Sequence, residues 1–323
     1  MASRIDLAAL TDVFVRQINQ VVVDACNNDS YLYNMLRKDK PQGSGGKSQW
    51  QVITARPTAQ GFVENGAFKA PDRFTNDTAE LPPGYIHQVL ELTGVTRDAL
   101  KNSSFLQISD YMSRQFMTAM ESLIAEIESA IYGGAHSTSL FVGLASAIED
   151  GNTYATIDRS TETMFRAYVN DNGGTPRALT KALMLATYNG LRNTNRGRFT
   201  HILASPTQCD AWRALAADTT KLGGQVQVTG NVYNMVSGTG TQEFGNSGVW
   251  FQGIQWTEIP GYPTDRIDFI DLSPSNINLE VHREFEISDP DRDGDNTVWD
   301  ITVGMAMPLR NPRRTSARLG DLS

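Results

Sequence analysis

The residues best suited to chemistry in this 323-residue sequence are the carboxylates of Asp289-Pro290-Asp291-Arg292-Asp293-Gly294-Asp295, a run that continues to Asp300. Alternate carboxylates on a tightly turned loop converge on a hard cation, and a glycine allows the sharp bend such a loop needs. The spacing therefore offers Asp289, Asp291, Asp293, Asp295 and Asp300 as ligands for a divalent cation. Two features depart from that pattern. The twelfth position is Asp300 where a bidentate Glu is usual, and the flanking residues read as strands where the motif expects helices. A solvated acidic hairpin tip, or one that meets the arginines of a neighbouring molecule, is the alternative reading.

Other chemical signals are weaker. Gly43-Ser44-Gly45-Gly46-Lys47-Ser48 imitates the end of a phosphate-binding loop, but its first glycine would fall at Pro41 and the segment precedes a strand where the motif opens a helix. Gly238-Thr239-Gly240 lies in a polar loop without the spacing of a dinucleotide fingerprint. His87, His136, His201 and His282 are scattered, and neither a G-x-S-x-G elbow nor an H-E-x-x-H pair is present, so the sequence does not point to an enzyme. Cys26 and Cys209 stand far apart without a C-x-x-C partner, which suggests neither a disulfide framework nor a zinc site. A net charge of -8 disfavours general nucleic-acid binding, which needs a basic face to displace counterions. The basic stretch Arg310, Arg313, Arg314 and Arg318 is a modest exception, suited to DNA contact or to bidentate pairing with carboxylates of another subunit.

The elements that would position these residues follow from periodicity. Hydrophobic residues make up 40% and charged residues 20% of the chain, the balance of a folded globular protein, and the length allows two linked domains. No apolar run approaches the roughly 18 residues that cross a bilayer, so a cytosolic chain without a membrane partner is expected. Leu7, Leu10, Phe14, Ile18 and Val21 predict an N-terminal helix, and the glycines and Pro41 between Lys38 and Lys47 predict a break. Strands are predicted over Trp50–Arg56 and Tyr85–Leu92. Between them lies a Pro- and Gly-punctuated stretch far longer than the ordinary loop limit of about 12 to 15 residues. It carries Phe62, Phe68 and Phe74, which need a surface to bury against.

From Phe105 to Ile131 the apolar spacing predicts one uninterrupted helix, about 40 Å long at 1.5 Å per residue. A mixed region follows, with a helix over Arg177–Leu191, a strand His201–Ala204 and a helix started by Ser205-Pro206. The C-terminal part reads as strands near Val249–Thr257, Ile267–Leu272, Ile277–Ile287 and Thr297–Met307. The class is α+β.

Three passages carry a resemblance when taken in order: Gly143-Leu144 through Ile157-Asp158-Arg159-Ser160, HILASPTQCDAW from His201 to Trp212, and WFQGIQWTEIPGYP ahead of RIDFID. FEISDPDRDGDNTVWDITVGMAMPLRNP then resembles a final hairpin. Over nearly its whole length the chain resembles the Hong Kong 97-type (HK97-like) major capsid proteins of tailed bacteriophages and the encapsulins. The resemblance implies an N-terminal arm over 1–49, an extended E-loop over 50–84, a peripheral P-domain with a long spine helix over 85–143, an inserted axial A-domain over 144–270, and P-domain return strands over 271–323.

In that family the subunit associates with itself in hexamers and pentamers, and the shell, the virion capsid, is assembled in the host cytoplasm around DNA without sequence-specific binding. By resemblance, Phe62, Phe68 and Phe74 would anchor the E-loop on a neighbour, with packing inside their own subunit as the alternative; an inter-subunit place for Arg310, Arg313 and Arg314 rests on the bidentate pairing of arginine with carboxylates. Some relatives cross-link subunits through a lysine, for which Lys69 is placed. An E-loop that begins near Trp50 implies a separate scaffolding protein; a portal and a decoration protein are further partners expected on the same ground. The resemblance implies no cofactor. An encapsulin-like compartment enclosing a cargo enzyme is the nearest alternative, and a soluble enzyme or binding domain with a long lid the more distant one.

Overall fold

The computed structural model describes residues 31–41, 46–59, 73–101, 108–133, 142–220 and 246–323. The N-terminal helix expected at 5–24, Cys26, Phe62, Phe68, Lys69, His136 and the Gly238-Thr239-Gly240 loop lie outside them. In chain order the first elements are α1 (Tyr31–Met35), β1 (Lys38–Asp39), β2 (Ser48–Ala55), β3 (Thr75–Leu81), β4 (Gly84–Leu92), α2 (Gly94–Lys101) and α3 (Ile108–Gly133). Then come α4 (Leu144–Ala147), β5 (Thr153–Tyr154), β6 (Ile157–Asp158), β7 (Tyr168–Asn170), α5 (Lys181–Asn189), β8 (His201–Ala204) and α6 (Pro206–Thr220). The chain ends with β9 (Asn246–Phe251), β10 (Ile254–Glu258), β11 (Ile267–Ile270), β12 (Leu279–Ile287), β13 (Asp291–Asp293), β14 (Asn296–Ala306), α7 (Pro312–Thr315) and β15 (Ser316–Leu319). These fall into two compact units, the first drawn from 1–40, 83–143 and 279–307, the second from 41–82, 144–278 and 308–323.

The first unit is organised by α3, 26 residues and about 39 Å long. Its apolar stripe buries Met112, Phe116, Met120, Leu123, Ile127 and Ile131, at the three- and four-residue steps that keep one helix face inward. That face packs on β4, with the Phe116 ring edge-on to Trp299 of β14 at 6.0 Å between centroids. β14 is the centre of the sheet, antiparallel to β4 on one side and to β12 and β13 on the other, while β1 adds a short parallel edge to β12. Alternation decides the faces: Ile86, Leu90 and Leu92 of β4 are buried, while Tyr85, His87, Val89 and Glu91 point to solvent. α1 packs against α3 with Leu32 and Tyr33 buried.

The second unit is built on a six-stranded mixed sheet in the order β7-β15-β11-β8-β10-β9. One face carries Ile202, Ala204, Trp256, Ile267, Phe269, Ala317 and Leu319 into a core closed by Met184 of α5 and Cys209 and Trp212 of α6. Trp212 stacks on Trp256 at 5.5 Å and Phe199 meets Phe269 edge-on at 4.9 Å, which are favourable aromatic geometries. The α5 helix starts at Thr180, whose side chain accepts the Leu183 N–H, and ends in a π-turn over Gly190–Thr194. The other face of the sheet is ionic. Asp268 of β11 is fully buried and receives Arg318 of β15 at 2.8 Å, Arg266 at 3.5 Å and the Tyr262 hydroxyl.

Arg318 also donates to the carbonyls of Leu144 and Ala145, and the buried Arg159 donates to those of Ser146 and Glu149. Two guanidinium groups thus add to the backbone partners of the carbonyls around the one-turn helix α4, where the Ile148 N–H donates to Leu144 and the Ala167 N–H to Glu149. Burial alone would raise the Asp268 carboxyl, but the charges of Arg318 and Arg266 outweigh it and hold the group below the usual carboxylate range.

The structure departs from the sequence reading in four places. The stretch between the two predicted strands is not all loop, because Thr75–Leu81 forms β3 in register with β2 from Ser48↔Leu81 to Ala55↔Thr75. The region Val249–Thr257 is a hairpin of two strands, β9 and β10, with Gln252 and Gly253 at positive φ between them. The segment 308–323, expected among the P-domain return strands, leaves the first unit at Pro308, since Ala317 and Leu319 belong to the core of the six-stranded sheet. The paired β2 and β3 group with that second unit as well, held by the Glu80 N–H to the Ala155 carbonyl at 3.0 Å and by Trp50 against Tyr154 at 6.5 Å.

Candidate functional site: assembly surfaces

The β2–β3 ribbon is a two-stranded antiparallel arm whose burial falls from base to tip. At the base Ser48, Val52, Ala79 and Leu81 are buried; beyond them Ile53 is 48% and Phe74 60% exposed, and residues 55–59 and 73–77 are exposed throughout. Its cross-strand contacts are polar: Gln51 donates to Thr78 at 2.8 Å, Asn76 donates to Gln51 at 3.0 Å, and Lys47 pairs with Glu80 at 3.0 Å. An isolated two-stranded ribbon is marginal in water, so an arm of this kind gains stability from any surface laid along it. Lys47 and Ser48, the end of the phosphate-loop imitation, are taken up by this ribbon: Ser48 opens strand β2, and the lysine faces a carboxylate.

A second exposed surface is the outward face of β4, with Tyr85 54% and Val89 48% exposed. Tyr85 lies over Gly304 of β14, where a Cβ would meet its ring at 2.6 Å, so the glycine lets the ring lie flat on the sheet. Val95 at the start of α2 is 81% exposed, and among the described residues β4 is a free edge of its sheet, across β14 from β12. Exposed apolar side chains beside a long free strand edge are features that associating proteins cover.

The Asp-rich run forms a hairpin. Asp291 and Asp293 lie on β13, paired with Val298 and Asn296 of β14, and Gly294 makes the turn at φ +64°. Asp295 is held by Arg97 at 2.8 Å, and the Asp300 backbone N–H donates to the Ser288 hydroxyl. Asp289 is exposed just before β13. Among the described residues no three His, Cys, Asp or Glu side chains converge to hold a metal ion. The hairpin draws the run out along a strand and its turn, where the cation motif needs a loop folded round one point.

The C-terminal arginines separate. Arg310 donates to Asn278 at 2.7 Å, Arg313 to the Thr163 carbonyl at 2.9 Å, and Arg318 is buried on Asp268, while Arg314 is exposed. Burial lowers the pKa of both His201 and His282, and His201 Nδ1 lies 2.8 Å from the Thr200 hydroxyl. Cys209 is buried and its thiol is pushed up to about 12 by burial and the nearby Glu258 charge, which makes it inert. The sequence reading missed the solvent face of β4, although the alternation of Tyr85, His87, Val89 and Glu91 with apolar residues was a signal for it.

A family model of the SU10 major capsid protein matches residues 6–323. Comparison with curated proteins gives no match. Among solved structures, the cyanophage A-1(L) capsid subunit superposes with a TM-score of 0.66 at 15% identity, covering 91% of this chain and 93% of that one. The capsid subunit of the myophage XM1 gives 0.58 at 11% identity, with 90% and 91% covered. The SrpI encapsulin of Synechococcus elongatus PCC 7942 gives 0.57 at 10% identity, with 90% and 87% covered. At such identities the superpositions establish the HK97-type fold, and the family match over almost the full length establishes the kind of subunit: this chain belongs to the SU10 major capsid protein family and is a shell-forming capsid protein.

Proposed function

We propose that the chain assembles in the host cytoplasm, from rings of five and six copies, into a closed icosahedral shell around a phage genome, with the β2–β3 ribbon lying across a neighbouring subunit. The observation that carries this reading is the burial gradient of the ribbon, fixed at Ala79 and Leu81 and open at Ile53 and Phe74. One surface per subunit that is complete only against another copy is what a repeating, closed assembly requires. The reading assigns no step to a catalytic residue. A separate scaffolding protein sets curvature, a portal occupies one vertex, and a decoration protein adds to the outside.

Negative-stain electron microscopy of the purified chain, with and without a co-expressed scaffold, tests the proposal. Closed shells or rings of five and six are expected; a persistent monomer under both conditions would return the soluble-domain reading. Boiling the shells in denaturant should release single 35.5 kDa chains unless Lys69 cross-links them. The likeness to the Synechococcus encapsulin favours a second reading, a compartment for a cargo enzyme. Shells from the native source that carry one protein and no DNA would establish it.

A further inference from the structure

The whole chain carries 36 acidic and 28 basic residues, yet residues 172–209 and 301–320 contain no Asp or Glu. The fold brings these two acid-free stretches together. The π-turn after α5 folds back on itself, with the N–H groups of Asn195 and Gly197 both on the Leu191 carbonyl, and the Arg198 N–H donates to the Arg314 carbonyl at 2.9 Å. Gly197 permits the approach, since a Cβ there would meet the Arg314 carbonyl oxygen at 2.4 Å.

Arg192, Arg196, Arg198 and Arg314 are all exposed in this region. Arg192 lies 6.0 Å from the Tyr188 ring, and Asn193 and Thr194 between the arginines are exposed donors. The nearby carboxylate, Asp271, is buried and taken by Thr200 and Ser273. Among the described residues none of these four arginines is in an ion pair, and like charges brought near one another repel, so an anion that joins them relieves that repulsion.

We propose that Arg192, Arg196, Arg198 and Arg314 form a binding surface for the phosphodiester backbone of duplex DNA. Guanidinium forks pair bidentately with phosphate oxygens, and interleaved Asn and Thr side chains are ordinary backbone contacts. No base-reading element accompanies them, so the contact is independent of sequence. Set in a subunit of net charge -8, it is weak and falls steeply with salt, which suits a genome that must be both packed and released. The inference rests on the shell reading in one respect, that the surface faces the enclosed genome.

The test is a salt titration of unassembled full-length subunits against a short fluorescent DNA duplex of arbitrary sequence. Affinity should fall linearly in log–log form, and each of Arg192→Gln, Arg196→Gln, Arg198→Gln and Arg314→Gln should reduce the slope by about 0.9. The fourfold Gln variant should lose most binding and the fourfold Lys variant should keep it. The single variants carry the test if the fourfold one does not fold. Wild-type subunits that ignore the duplex at low salt, or Gln variants with unchanged slopes, would overturn the proposal. Variants that stop assembling while their DNA affinity stays the same would overturn it too, by assigning the surface to a neighbour's carboxylates. Failure of the shell reading is seen separately, as an absence of shells from the wild-type chain.

Discussion

The six-stranded sheet and the β2–β3 ribbon are both β-structure, and they solve the problem of polar groups in opposite ways. In the sheet, Asp268 and Arg318 are buried together and every oxygen of the acid has a partner. In the ribbon, Gln51, Asn76, Lys47 and Glu80 pair at the surface, where water competes with each contact. The difference separates two tasks. The sheet fixes one conformation within a subunit, while the ribbon leaves the apolar side chains of Ile53 and Phe74 exposed.

Substitutions should divide along that line. The largest expected effect is Arg318→Ala, which leaves the buried Asp268 with the longer Arg266 pair at 3.5 Å and should cost about 3–5 kcal/mol by denaturant unfolding. A loss under about 1 kcal/mol would show that water reaches the site. Next is acid. Because the folded Asp268 carboxyl is held below its unfolded value of about 3.9, its stabilisation is present above that value and lost as pH falls through the folded one. Unfolding followed against pH should therefore show a loss below about pH 4 that is flattened in Asp268→Asn.

In the ribbon the order of effects reverses between stability and assembly. Phe74→Ser should change subunit stability by no more than about 0.5 kcal/mol while sharply lowering the yield of shells in light scattering. A large fall in melting temperature would place Phe74 inside its own subunit instead. The smallest effect is expected from Lys47→Ala, whose exposed pair with Glu80 is worth under about 1 kcal/mol and should weaken at high salt.

Legibility in the sequence followed periodicity. The long helix α3, the strand β8 and the Ser205-Pro206 start of α6 were readable because unbroken apolar spacing or a cap marks each one. Strand β3 was not, since Thr75-Asn76-Asp77-Thr78 is polar and short-range rules read it as loop; only its partner β2 makes it a strand. The Asp-rich run lies on a hairpin at the edge of a sheet, the hairpin reading that stood beside the cation loop, and its carboxylate spacing alone does not announce that tertiary place. The arginine surface was legible only by halves, because Arg198 and Arg314 meet through a backbone contact that no local pattern announces.

The position of β15 bears on timing. It lies between β7 and β11, in register Leu319↔Asn170 and Leu319↔Ile267, so a strand made after all the others of the sheet joins two made before it. Such long-range closure is slow, and it cannot start until that strand has left the ribosome. A chain that stops before Ser316 therefore lacks the strand between β7 and β11. Such a chain leaves β7 and the facing edge of β11 without the partner that joins them, and bare strand edges are aggregation-prone.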